Sequence, residues 1–159
     1  MSVIDTRCPS VSALSETDSV CEVQQSAVLT LPSQAMLVGA VRVFTAELLQ
    51  RWRIGGEEQE AAVLILDEMA TNAVQHGRSR MTLLLALEDD VLRISVADSG
   101  PRTRFEAPAV DPDEHGRGTG IVEYLADRVE IHPGSDGCLI SAWLRVKPHS
   151  AGAGEPDPA

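Results

Sequence analysis

The sequence predicts an α+β fold, a two-layer α/β sandwich in which about three helices cover one face of a mixed, mostly antiparallel sheet. Two long segments place apolar residues at helical spacing, and five shorter ones are apolar runs of strand length. Turn residues join several of the strand segments directly, as in hairpins, and hairpins pair antiparallel strands. Helices and a sheet that are each apolar on one side bury those sides against each other, which gives two layers.

The N-terminal half is predicted to contain one strand and two helices. Residues 27–31 form a short strand that Pro32 ends, and Ser33 is expected to cap the helix that follows. The apolar positions of this helix recur at i, i+4, i+7 and i+11, at Leu37, Val41, Phe44 and Leu48. A second helix is predicted over 57–75, with acidic residues in its first turn to suit the helix dipole.

The C-terminal half is predicted to contain two hairpins and a helix between them. Residues 81–88 and 91–97 flank two aspartates and form the first hairpin. The earlier of these strands is apolar on both faces, so we expect it in the centre of the sheet. Residues 119–128 have a helical pattern, and the segments 129–132 and 138–146 form the second hairpin.

The length of 159 residues fits one domain with polar segments at both ends. We expect a folded domain over 27–146, because the apolar periodicity lies there. Residues 1–26 are rich in Ser, Thr, Glu and Gln with little periodicity, and residues 147–159 have a similar polar, Pro- and Gly-containing composition. Both are predicted to be flexible tails.

Charge and cysteine content narrow the class of protein. The net charge of −11 disfavours direct nucleic-acid binding, because the phosphate backbone is also negative. The three cysteines form no CxxC pair, so neither a disulfide framework nor a zinc site is expected. No apolar run reaches the roughly 18 to 20 residues that span a bilayer, and no signal-peptide core is visible. We therefore expect a cytoplasmic protein without membrane contact.

Glu68 and Asn72 are the first candidate site residues. The six apolar residues 61–66 predict that this helix is buried on more than one face, with a core stripe at Ala62, Ile65, Leu66, Met69 and Ala73. Glu68 and Asn72 stand one turn apart on an adjacent stripe. An amide oxygen can coordinate Mg²⁺ and a carboxylate can take a proton from an attacking hydroxyl. The alternative is an ordinary solvated helix face.

Two further segments interrupt the packing pattern. Residues 98–100 (DSG) directly follow a strand and are either a turn or an acceptor for a ligand amine at the end of the sheet. Residues 116–120 (GRGTG) precede a helix, where bare backbone N–H groups and the helix dipole favour phosphate. Here the alternative is a flexible turn. The long segment 101–115 between them has the length of a lid. Its acids and His115 match neither an EF-hand loop nor an HExxH spacing, so a metal site is not expected there.

The order of these segments resembles the GHKL ATPase superfamily, which includes gyrase, heat-shock chaperones, histidine kinases and mismatch-repair proteins. Residues 68–77 (EMATNAVQHG) resemble its N box, and 98–100 (DSG) its first glycine box. Residues 116–128 (GRGTGIVEYLADR) resemble the second glycine box. Within the superfamily the chain is most similar to bacterial anti-sigma-factor serine/threonine kinases. The resemblance covers residues 27–146.

The resemblance implies that the chain binds ATP and Mg²⁺. Asn72 would hold the Mg²⁺ bound to the ATP phosphates, and Glu68 would be the general base. Asp98 would accept the adenine amino group, and Gly100 would let the base approach. The phosphates would be wrapped by the segment Gly116, Arg117, Gly118, Thr119 and Gly120. Residues 101–115 would be the ATP lid. The position of Arg117 suggests that it neutralises developing phosphoryl charge.

The resemblance also implies a function and partners. The chain would be a protein serine kinase and anti-sigma factor that phosphorylates a small antagonist protein in partner switching, a form of transcription regulation. It would bind a sigma factor and form a homodimer. The alternative is an ATP-binding docking module without kinase activity. Gly137-Cys138-Leu139 stands where the family often has Gly-Lys or Gly-Thr, and this departure favours the docking module. A second departure, Pro101-Arg102 in place of a further glycine of the first glycine box, concerns the geometry of the lid.

Overall fold

A computed structural model describes residues 3–5, 23–76, 79–99 and 120–147, and they form one sheet with helices on one face. Within those residues the strand order is β1-β2-β3-β4-β6-β5 and every pairing is antiparallel. The prediction of an α+β sandwich is confirmed, although no parallel pair occurs among the described strands. The six strands are β1 (Val3–Asp5), β2 (Val23–Pro32), β3 (Arg80–Glu88), β4 (Val91–Ser99), β5 (Arg128–Gly134) and β6 (Gly137–Arg145).

Three helices lie on one side of this sheet, as predicted. Helix α1 (Ala35–Arg51) packs against α2 (Gly56–His76), and α2 lies on β4, β6 and β3. Residues 120–125 form α3, whose Val122 is buried in the core. Among the described strands α2 contacts β4 most extensively, so its inner side chains pack on the centre of the sheet.

The core lies between α2 and the sheet and contains the predicted stripes. The stripe of α1 is buried or packs against the core, and all five predicted core residues of α2 are buried. Ala142 and Leu144 of β6, and Val146 just after it, are also buried in the core. Aliphatic residues and Met supply the largest fully buried side chains, among them Leu49, Ile54, Ile65, Leu66, Met69, Met81, Leu83, Leu85, Leu92 and Ile94.

One predicted feature of α2 is only partly right. The apolar run 61–66 predicts burial on more than one face, but Leu64 is 41% exposed. Val63 and Leu64 line a groove on the outer side of the two helices, together with Arg42 and Asp67, whose side chains form an ion pair at 3.3 Å. The apolar run therefore includes one turn that faces away from the sheet.

The sheet begins earlier than the sequence predicts. Residues 23–26 belong to β2, and Val3–Asp5 pair with that strand, whereas 1–26 was expected to be a flexible tail. The other residues of that tail, and 148–159 of the C-terminal one, lie outside the described residues. Residues 23–26 were not predicted as a strand because their pairing with β3 includes the polar Gln25 and Ser26, which give no alternating apolar pattern.

The helix α3 and the second hairpin also differ from prediction in their bounds. The helix was expected to run to residue 128 but ends at 125. The Asp127 N–H donates to the Trp143 carbonyl at 2.8 Å, and the Asp127 carboxylate accepts from the Arg145 N–H at 2.6 Å. These bonds draw the chain into the sheet. Pro133 lies within β5, where it is tolerated because β5 is an edge strand.

The start of α1 contradicts the prediction that Ser33 caps it. The N-cap residue is Gln34, and it makes no side-chain hydrogen bond to the helix. The Ser33 N–H instead donates to the Ser79 carbonyl at 3.1 Å, and the Ser33 hydroxyl is buried without a partner among the described residues. This bond holds Ser33 at the end of the sheet, one position before the cap.

Replacing Gln34 with Asp is therefore expected to stabilise the protein by about 1 kcal/mol. Gln34 already has the extended backbone of an N-cap (φ −127°, ψ 131°), and the first turn of α1 contains no acidic residue. A short carboxylate there can accept from free N–H groups and suits the helix dipole. Urea unfolding measures the change. Ser33→Asp is the control, since the same charge at that position should give no such gain.

The opposite face of the sheet carries polar pairs. Ser95 and Ser141, which face each other on β4 and β6, are buried and hydrogen bonded at 2.8 Å. On β5 the Glu130 carboxylate accepts from Arg128 and contacts His132. The Arg128 guanidinium, and then His132, hold the pKa of Glu130 below its ordinary value. The described helices lie on the other face of the sheet, as predicted. No described helix is long and apolar enough to cross a membrane.

Candidate functional site

Two chain segments that carry predicted site residues meet the β5–β6 turn at one end of the sheet. Arg80, the first residue of β3, pairs with Ser99 at the end of β4, and Ser99 pairs with Gly137 in β6. Helix α2 ends at His76, shortly before β3 begins. The last turns of α2, the end of β4 and the β5–β6 turn therefore lie at the same end.

Glu68 and Asn72 are half-buried near the C-terminal end of α2. Between them and the core lie Met69 and Ala73, which are 1% and 5% exposed. Neither the Glu68 carboxylate nor the Asn72 amide has a hydrogen bond or ion pair with another described residue. A half-buried carboxylate and a carboxamide that lie one turn apart, with no partner in 3–5, 23–76, 79–99 or 120–147, are suitable groups for contacting a ligand.

Asp98 lies inside β4, not in a turn. The strand was predicted to end at 97 but runs to Ser99, so the alternative interpretation of 98–100 as a turn is wrong for its first two residues. Asp98 lies on the same face of β4 as Val96. It is half-buried beside its strand partner Met81, which is fully buried. Its Oδ1 accepts a hydrogen bond of 2.7 Å from the Cys138 N–H. Its Oδ2 accepts none from a described residue.

Gly137 completes this contact and was not predicted as a site residue. Its φ is +156°, in the range that residues with side chains rarely adopt. An added Cβ would lie 2.0 Å from the Asp98 carbonyl oxygen and 3.0 Å from Asp98 Oδ1. Glycine is therefore required where β6 passes Asp98. The sequence contains only a hairpin glycine here, and its role depends on the strand register.

The predicted phosphate-binding segment is described only at its end. Gly120 is the first described residue of α3 and is exposed, and a Cβ added there would meet nothing within 4 Å. The other members of the glycine-box predictions lie outside the described residues, as does the predicted lid 101–115 with its acids. These members are Gly100, Gly116, Arg117, Gly118 and Thr119.

The described side chains fit a nucleotide better than a protein-held metal ion. Among residues 3–5, 23–76, 79–99 and 120–147, no group of three His, Cys, Asp or Glu side chains could hold a metal ion. A single neutral oxygen, such as that of Asn72, suits Mg²⁺ that keeps its waters and takes its other ligands from phosphates. The Asp98 carboxylate, half-buried over an apolar floor, suits the amino group of a base.

Comparison with known proteins places these residues within a family domain. The sequence profile of the histidine kinase-like ATPase domain matches residues 31–143. The crystal structure of the RsbU and RsbW domains of Rv1364c from Mycobacterium tuberculosis is similar over 77% of this chain, with a TM-score of 0.60 and 21% identity. The similarity covers 34% of that chain, so this chain spans about a third of its length. No curated protein has a significant match.

Proposed function

The chain belongs to the histidine kinase-like ATPase domain family, and from this premise we propose that it is an ATP-dependent protein serine kinase that acts as an anti-sigma factor. The observation that carries the proposal is the position of Glu68 one turn from Asn72 on α2. Both lie at the end of the sheet where the Cys138 N–H orients Asp98. A nucleotide-binding module needs the amide and the aspartate. The additional free carboxylate is what a phosphotransfer reaction needs.

In this proposal each described residue has one task. Asp98 Oδ2 accepts the amino group of adenine and positions the base. Asn72 contributes its amide oxygen to the Mg²⁺ that accompanies the phosphates, and the ion supplies positive charge there when it is bound. Glu68 takes the proton from the hydroxyl of a substrate serine as that oxygen attacks. The backbone of the two glycine-box segments is proposed to approach the nucleotide, at Gly100, Gly116, Arg117, Gly118, Thr119 and Gly120.

The proposed partners are a sigma factor and a small antagonist protein. The chain would hold the sigma factor inactive and would phosphorylate a serine of the antagonist, in the cytoplasm and as a homodimer. The support for this group within the family is a likeness of fold to the structure of RsbU and RsbW domains. Phosphorylation adds a charge of about −1.5 to −2 to the antagonist. Since this chain has a net charge of −11, the modification weakens an interface between the two proteins.

The experiment for this proposal is phosphotransfer from γ-labelled ATP to proteins of the source cell, followed by mass spectrometry. The proposal expects Mg²⁺-dependent label on serine of a small protein that binds this chain before the reaction and not after it. ATP binding without label on any bound protein would contradict the kinase assignment.

The second candidate is a docking module that binds ATP without transferring phosphate. The observation that favours it is Cys138, which stands beside Asp98 where the family often has a hydroxyl or ammonium side chain. The two candidates differ in the effect of Glu68. Loss of its carboxylate abolishes the activity of a kinase, whereas a docking module does not depend on it.

A further inference from the structure

Among the residues that the structure describes, the backbone of β6 holds the Asp98 carboxylate, and no side chain bonds to it. The Cys138 N–H donates to Asp98 Oδ1 at 2.7 Å, and the two residues are direct partners in the β4–β6 register. A backbone N–H is a fixed donor, since its direction is set by the strand pairing. A side-chain donor at this position, in contrast, can rotate away. The orientation of the carboxylate is therefore built into the sheet.

Gly137 allows this approach. A Cβ at residue 137 would overlap the Asp98 carbonyl oxygen, at 2.0 Å, and would also meet the carbonyl carbon and Oδ1 at 3.0 Å each. All three atoms belong to Asp98. The neighbouring hairpin glycine differs, because a Cβ at Gly134 would meet only the Gly137 carbonyl oxygen at 3.4 Å, which is ordinary contact.

From these contacts we infer that the Gly137–Cys138 backbone is the positioning element that determines base specificity, because it fixes Oδ1 of Asp98 and leaves Oδ2 to accept from an exocyclic amine. The inference rests on the proposed function, in which Asp98 accepts the adenine amino group, and adds the backbone element that orients this carboxylate. Cys138 acts through its N–H, so its thiol is not required.

The inference predicts a change of specificity for Asp98→Asn. A carboxamide has one oxygen and one NH₂ group. If the Cys138 N–H demands an acceptor, the amide oxygen turns toward it and the NH₂ group faces the ligand. That group repels the amine of ATP and suits the carbonyl at position 6 of ITP. Wild type should prefer ATP over ITP by about tenfold or more, and Asp98→Asn should prefer ITP by a similar factor.

Calorimetry with Mg²⁺-ATP and Mg²⁺-ITP measures both preferences. Asp98→Asn is nearly isosteric, so the fold is retained. If the variant keeps a preference for ATP, or loses affinity for both nucleotides equally, the carboxylate is not oriented by Cys138 and the inference is wrong. Wild type that binds neither nucleotide would instead refute the proposed function, and this inference with it.

A pair of glycine variants tests the same element from the other strand. Gly137→Ala should lower ATP affinity by roughly tenfold and reduce the ratio of ATP to ITP affinity, because it displaces Asp98. Gly134→Ala, in the same hairpin, should change neither. A loss of ATP affinity in Gly137→Ala with an unchanged ratio would contradict the positioning role. If Gly137→Ala does not fold, Asp98→Asn still decides the question.

Discussion

Replacing Glu68 with alanine is expected to lower the rate of phosphotransfer by about 10²- to 10⁴-fold, the range that general-base catalysis supplies. ATP binding should change little, because the nucleotide contacts are assigned to Asn72, Asp98 and the glycine segments. Glu68 is half-buried, and its replacement breaks no hydrogen bond or ion pair with another residue that the structure describes. The measurement is single-turnover phosphotransfer to the antagonist, with ATP affinity determined in parallel.

Glu60→Ala is the matched control for this variant. Glu60 is an exposed glutamate of the same helix and lies on its outer groove. Its replacement should leave both rate and affinity unchanged. Phosphotransfer by Glu68→Ala at the wild-type rate would show that another group is the base, and equal losses in both variants would point to the acidic surface of α2 instead of one carboxylate.

Replacing Leu66 with alanine is expected to reduce the free energy of unfolding by about 3 kcal/mol, because it leaves a cavity between α2 and the sheet. Leu66 is fully buried. Leu64 is 41% exposed on the same helix, and Leu64→Ala should cost less than about 1 kcal/mol. Urea unfolding of the two variants compares the same substitution at both positions. Similar losses would contradict the placement of Leu64 on the outer face.

The layers of the fold could be predicted because they follow from local periodicity. The first hairpin is an example, since β3 and β4 are joined by Asp89 and Asp90, and Asp89 has a positive φ of 52° that aspartate tolerates. The short strand β1 could not be predicted. Three residues are too few to show alternation, and their strand depends on backbone pairing with β2.

The candidate site shows the same division. Glu68, Asn72 and Asp98 could be proposed from sequence because they lie in segments that resemble the N box and the first glycine box. Their local pattern alone left a solvated helix face and a turn as alternatives. Gly137 could not be proposed, because its requirement arises from the register that places β6 against Asp98, and no local pattern specifies a register between distant strands. For the same reason the cap of α1 was misplaced, since Ser33 is held by a bond to Ser79 far along the chain.

We propose above that this end of the sheet binds Mg²⁺-ATP, with the Asn72 amide of α2 holding the ion. The most direct test is calorimetry of Mg²⁺-dependent ATP binding to wild type and to Asn72→Ala, with Gln75→Ala as the control, because Gln75 is an exposed carboxamide of the same helix. We predict saturable binding to wild type and Gln75→Ala, and a sharp loss of affinity in Asn72→Ala. Absence of binding to wild type at millimolar ATP, or equal affinity in all three proteins, would contradict the claim.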